Sequence, residues 1–199
     1  MAEASLAEMT FVFEADAHHV KSREALINAF MPIARRVGAA HFLCAYVGDD
    51  VSGKTIKRAI SNIPREWQEG YLARGYEASD PVFLSVTQTG ACGYWDELSS
   101  RAGQTGGMNE MMGFAARIGM HDGFTKRVTL DAGGSAIMMV GGEKLDRSAE
   151  ARTALRLATH IFANEAARML PVSTASLVAA GLEELSPSQM QVLQMRAEG

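Results

Sequence analysis

Apolar residues at Leu26, Phe30, Ile33 and Val37 fall on one face of a helical period, so Lys21 to Val37 is expected to form an amphipathic helix. Pro32 lies inside that run and should kink it or mark a fresh first turn. His41 to Val47 is apolar with aromatics and reads as a central strand. Asp49, Asp50 and Gly53 mark a turn, and Thr55 to Ile60 reads as a second strand. Ile63-Pro64 then opens a short helix. It carries Trp67 and Tyr71 at i and i+4, so both rings share one face. Asp80-Pro81 starts another helix, with Asp80 in the N-cap position and the proline at the first helical place.

Ala91 to Trp95 reads as a short strand and Arg101 to Gly107 as a polar, glycine-rich loop. Met108 to Ile118 is helical, with Met111, Met112, Ala115 and Ile118 facing inward. Gly123 to Leu130 and Ser135 to Val140 read as strands joined by the hairpin signature Asp131-Ala132-Gly133-Gly134. Leu145 to Leu170 is the longest expected helix. Asp146 caps it, Leu155, Ala158, Phe162 and Met169 form its stripe, and Pro171 ends it. The order α-β-β-α-α-β-α-β-β-α predicts an α/β fold: an α-β-α sandwich with an antiparallel sheet of about five strands and helices on both faces.

Residues 1–170 are read as that domain and 171–185 as a linker. In 186–199, Ser186-Pro187-Ser188-Gln189 is a capping box ahead of Met190, Leu193 and Ala197, and Gly199 is a natural helix stop. One amphipathic helix of about a dozen residues cannot bury its face alone. The segment therefore reads as the first helix of a second domain that is cut off.

Composition narrows the classes. The chain is 47% hydrophobic and 21% charged, ordinary for a globular protein. A net charge of −4 gives no global basic field, so the chain as it stands is a poor nucleic-acid binder. Cys44 and Cys92 sit singly in apolar surroundings, which fits a reduced cytoplasmic interior and a core thiol at Cys44. The segment 1–19 lacks the basic and apolar regions of a signal peptide. No apolar run approaches the ~18 residues of a membrane helix. His18, His19, His41, His121 and His160 show no metal-ligand spacing, and no nucleophile–base pair is placed, so catalysis and a metal or organic cofactor are not expected. His18-His19 reads as a solvated helix start. Lys126-Arg127 reads as a solvent-facing pair on an edge strand or, alternatively, a patch for a partner or an acidic ligand.

The chemistry concentrates around one carboxylate. Trp67, Tyr71 and Asp80-Pro81 fall within fifteen residues, and Trp95 follows fourteen residues later. Aromatic rings supply pocket wall and an indole donor, and a lone acid among them anchors a small ligand. The spacing W-x3-Y-x8-D-P-x13-W resembles the signature of LuxR-type quorum-sensing transcription regulators. Gly119-Met120-His121-Asp122-Gly123-Phe124-Thr125 is similar to that family's G-x-x-x-G-hydrophobic-T segment, and Leu185-Ser186-Pro187 with Val192-Leu193 resembles the opening of its helix-turn-helix domain.

The resemblance implies a domain that holds an N-acyl-homoserine lactone between the sheet and one helical layer. It implies that Trp67 donates to the lactone carbonyl, Asp80 accepts the ligand amide N–H, and Tyr71 and Trp95 wall the guest. Ile63, Val82, Thr125 and Met139 complete the expected lining. It also implies dimers, with a like chain or a related regulator, and DNA contact only through the C-terminal domain. Departures from the family pattern are Ile63, where a tyrosine is usual, Lys126-Arg127, where an apolar stretch is usual, and Met139, where a Ser or Thr is frequent. An alternative expectation is a naturally truncated antagonist that forms inactive dimers with a full-length relative.

Overall fold

The computed structural model describes residues 4–50, 53–102, 108–131 and 133–169. The expected linker and the final helix lie outside the described residues. Met1–Ala167 form one compact unit.

Two helices precede the sheet. The first, α1 (Leu6–Ala17), was not expected from the sequence pattern. Ser5 and Glu8 cap it reciprocally, each side chain taking a backbone N–H from the other residue. Its C-cap is His18, so the His18-His19 pair closes a helix instead of starting one, and His18 Nδ1 lies 2.6 Å from Glu165. The second, α2 (Arg23–Arg36), is capped by Ser22 and runs through Pro32 as one helix. Pro32 and Asn28, whose carbonyl loses its partner, both lie on the exposed face, where water replaces the missing bond.

The sheet contains β1 (His41–Asp50), β2 (Gly53–Ser61), β3 (Cys92–Tyr94), β4 (Asp122–Thr129) and β5 (Ser135–Gly142). The order is β2-β1-β5-β4-β3, with every pair antiparallel. This is the expected five-stranded α/β sandwich. The first two strands are longer than the periodicity suggested, because Asp49, Asp50 and Gly53 continue the ladder.

Successive strand residues face opposite layers. Phe42, Cys44 and Tyr46 of β1 point toward α1, α2 and the long helix α7 (Ala149–Arg168). There Phe42 and Phe162 meet at 5.3 Å, Phe30 and Phe162 at 4.9 Å, and Phe13 and Phe30 at 6.0 Å. Tyr46 donates to the Ala163 carbonyl. Cys44 is fully buried here, and burial pushes its thiol up to about 12. Helix α7 starts later than expected. Ser148 is the residue that accepts from Ala151 N–H, while Asp146 braces Ser148 from before the helix.

The other face carries the remaining helices: α3 (Arg65–Ala73), α4 (Pro81–Thr89), α5 (Trp95–Ala102) and α6 (Met108–Ala116), with a 3-10 turn at Tyr76–Ala78. Trp95 begins α5 instead of ending a strand. Lys126 and Arg127 are not a solvent-facing pair, and β4 is not an edge. Neighbouring residues of one strand project to opposite layers, and each cation finds a helix carbonyl there. Lys126 donates to Arg156 of α7 at 2.9 Å, and Arg127 donates to Thr87 near the C-terminus of α4 at 3.0 Å.

Candidate ligand-binding site

Helix α3 places its two rings as the four-residue spacing requires. Trp67 and Tyr71 stack at 5.2 Å, and Phe114 of α6 stacks on Trp67 at 6.0 Å with only 15° between the planes. Arg74 lies over Phe114 at 4.9 Å, so the aromatic layer is closed by a cation on its outer side. This layer buries Trp67 to 8% exposure. Its Nε1–H has no hydrogen-bond partner among the described residues. A buried donor without an acceptor is costly, so this indole marks a position suited to a carbonyl oxygen.

Asp80 is both helix cap and pocket wall. Its Oδ1 accepts from Val82 N–H at 2.8 Å and Phe83 N–H at 3.2 Å. Its Oδ2 accepts from the Tyr71 hydroxyl at 2.9 Å. A carboxylate oxygen accepts about two hydrogen bonds, so Oδ1 is filled and Oδ2 retains one lone pair. Burial pushes the Asp80 carboxyl above its ordinary range, against the lowering effect of Phe83 N–H, the Tyr71 hydroxyl and Val82 N–H. Burial, followed by the facing Asp80 charge, raises Tyr71, which keeps its proton and remains the donor.

Trp95 is held from three sides. Its Nε1 donates to Thr125 Oγ1 at 2.9 Å. Its six-membered ring lies over Gly123 and Gly141, which face each other across β4 and β5. A Cβ on Gly123 would stand 2.2 Å from the indole, so this glycine is required for space. The start of α5 is anchored by charge to α7 and to the segment that leads into it. Arg147 bridges Asp96 and Asp122 at 2.8 and 2.9 Å, and Arg152 grips both oxygens of Glu97. Both guanidinium groups cover the Tyr94 ring at 4.7 Å.

Between α3, α4 and the sheet lies a cavity of about 100 Å³. Trp67, Tyr71, Asp80, Val82, Thr125 and Met139 line it, together with residues the sequence reading did not single out: Leu43, Ala45, Ala59, Phe83 and Ile137 among them. Strand alternation carries the signal for several of these. Leu43 and Ala45 share a face of β1, Ile137 stands two residues before Met139, and the sheet register makes Leu43 the partner of Met139 and Ala45 the partner of Ile137. Trp95 does not line this cavity but stands behind Thr125. It walls an adjoining cleft of about 510 Å³ with Met111 and Met112, and Val82 belongs to both spaces. Ile63 is buried in the same aromatic cluster without facing the cavity.

The autoinducer binding domain family matches residues 22–166. The chain is 26% identical over 179 residues to the HTH-type quorum sensing-dependent transcriptional regulator RpaR of Rhodopseudomonas palustris, covering 88% of this chain and 70% of that protein. Its fold is similar to that of the N-acylhomoserine lactone dependent LuxR family factor CepR2 from Burkholderia cenocepacia, with a TM-score of 0.59 at 19% identity, over 80% of this chain and 94% of the other. It is also similar to Escherichia coli SdiA, with a TM-score of 0.67 at 14% identity, over 95% and 84% of the two chains. Family and fold are those of signal-binding transcription regulators and not of enzymes. The chain belongs to the autoinducer-binding domain family of LuxR-type regulators.

Proposed function

We propose that this domain senses an N-acyl-homoserine lactone-like signal, and that the guest completes the core between α3, α4 and the sheet. The observation that carries this reading is the buried Trp67 N–H, unpartnered among the described residues, in the same cavity wall as the one free lone pair of the Asp80 carboxylate. Trp67 donates to the lactone carbonyl, and the free lone pair of Asp80 Oδ2 accepts the amide N–H. Tyr71 holds Asp80 in place, and Trp95 bounds the lactone end. The name of CepR2 as lactone dependent agrees with this assignment, and SdiA in complex with octanoyl-rac-glycerol is a related fold that holds an acyl chain.

Size sets a condition on binding. An apolar cavity of about 150 Å³ takes benzene, and this one has about 100 Å³. An acyl lactone therefore needs its walls to shift and its head to reach past Val82 toward the adjoining cleft. Leu72 and Ala59 are the exposed members of the lining, so the acyl chain leaves room to extend on that side. Ligand capture would then favour the ordered domain, its dimerisation and DNA binding by a C-terminal domain. Phe11, Val12 and Leu157 are exposed apolar residues on α1 and α7, and they are the surface available for a second copy.

Thermal unfolding with N-acyl-homoserine lactones of short, medium and long chains tests the reading. A lactone at 100 times its dissociation constant should add about 2.7 kcal/mol of stability. Unchanged melting with every chain length would remove the lactone assignment.

A further inference from the structure

We infer that Thr125, held by Trp95, is a free hydrogen-bond donor of the cavity beside Trp67 and donates to the acyl carbonyl of the ligand. This inference rests on the lactone reading and extends it to a group that reading leaves without a partner. An N-acylated lactone brings one N–H and two carbonyl oxygens. Asp80 takes the N–H and Trp67 takes the lactone carbonyl. On the sheet side the cavity meets the acyl carbonyl with Leu43, Ile137 and Met139, none of which has a hydrogen to give. A carbonyl buried against such side chains loses its water without replacement.

The structure supplies the missing donor one strand away. Thr125 and Met139 are direct partners across β4 and β5, and both line the cavity. Thr125 is 2% exposed. Indole nitrogen only donates, so in the 2.9 Å contact with Trp95 the Thr125 oxygen is the acceptor. One lone pair is thereby fixed, and the hydroxyl hydrogen has to turn away from the indole. Among the described residues it donates to nothing. Trp95, seated on Gly123 and Gly141, is thus a positioning residue that aims the Thr125 hydroxyl into the cavity.

This arrangement makes a prediction about the atom recognised. N-octanoyl-homoserine lactone and its thioamide analogue share the chain, the ring and the N–H, but sulfur is a poor acceptor. The wild-type protein should bind the amide about tenfold more tightly, the value of one ordinary hydrogen bond. Thr125→Val, which keeps the shape and removes the donor, should bind both alike. Thr125→Ser should restore the preference, which loss of packing alone would not produce. If Thr125→Val fails to fold because the Trp95 N–H is stranded, the double variant Thr125→Val/Trp95→Phe carries the same comparison. A wild type without preference, or a preference that survives loss of the hydroxyl, overturns the assignment of Thr125 while leaving the lactone reading intact. A wild type that binds neither compound overturns both.

Discussion

An Asp80→Asn protein should fold and respond far more weakly to acyl lactones. Asparagine is as good an N-cap as aspartate, so its Oδ1 can keep the Val82 and Phe83 N–H groups that start α4. The other half of the side chain changes sign. Where Oδ2 accepts from Tyr71 and retains a lone pair, an amide presents two hydrogens. Tyr71 can reverse its hydroxyl, but the ligand N–H cannot, and two donors then face each other. Loss of a hydrogen bond to a charged group costs roughly 1.5–3 kcal/mol, so affinity should fall about 10- to 100-fold. Circular dichroism and melting of the ligand-free protein separate this from unfolding: both should stay near wild type while the lactone-induced shift falls to about half or less at the same lactone concentration. A full shift in the variant would show that Asp80 is only a cap.

The same carboxyl sets a pH dependence. Burial raises it in the folded, ligand-free domain, so the native state holds a proton over a window above the ordinary carboxylate range in which the unfolded chain has released it. Stability of the free domain therefore falls as pH rises through that window and levels off above it. A donated N–H favours the charged form, so binding expels this proton. Lactone affinity should rise with pH through the same window, and proton release measured by calorimetry in two buffers should vanish in Asp80→Asn.

Much of this was legible in the sequence because it depends on short-range geometry. The four-residue spacing of Trp67 and Tyr71 stacks their rings, and proline after Asp80 fixes the cap that turns its carboxylate into the wall. Strand alternation defines the sheet and its two faces. What escaped was set by partners far along the chain. The run at Trp95 reads as the end of a strand, yet Trp95 opens α5 because Arg147 and Arg152, about fifty residues away, hold the acids of its first turn. Helix α1 carries apolar residues on exposed positions such as Phe11 and Val12, and its moment is blurred accordingly. The fate of Lys126 and Arg127 depends on helix carbonyls that only the assembled layers bring near.

Gly123→Ala should be among the most damaging single-methyl changes in the domain. Nothing in the backbone demands glycine there, since its φ is not among the positive values found at Gly38, Gly75, Gly90, Gly119, Gly133 and Gly134. The demand comes from the Trp95 indole, three of whose carbons would lie 2.2 to 2.7 Å from the new methyl. The indole cannot retreat easily. Its nitrogen is tied to Thr125, its outer edge rests near Gly141 and Met120, and its backbone begins a helix that Arg152 clamps to α7 through Glu97. Relief therefore breaks the Trp95–Thr125 bond or parts β4 from α5. Overpacking of this kind costs about 1–3 kcal/mol, and a stranded buried indole N–H adds about 1–3 kcal/mol more. Chemical denaturation of Gly123→Ala should show that loss. In a Trp67→Phe background, where Trp95 is the remaining tryptophan, its emission should shift to the red as the ring leaves its seat. If stability and emission both stayed at their parental values, the glycine seat would not be what positions Trp95, and the aim of the Thr125 hydroxyl would need another cause.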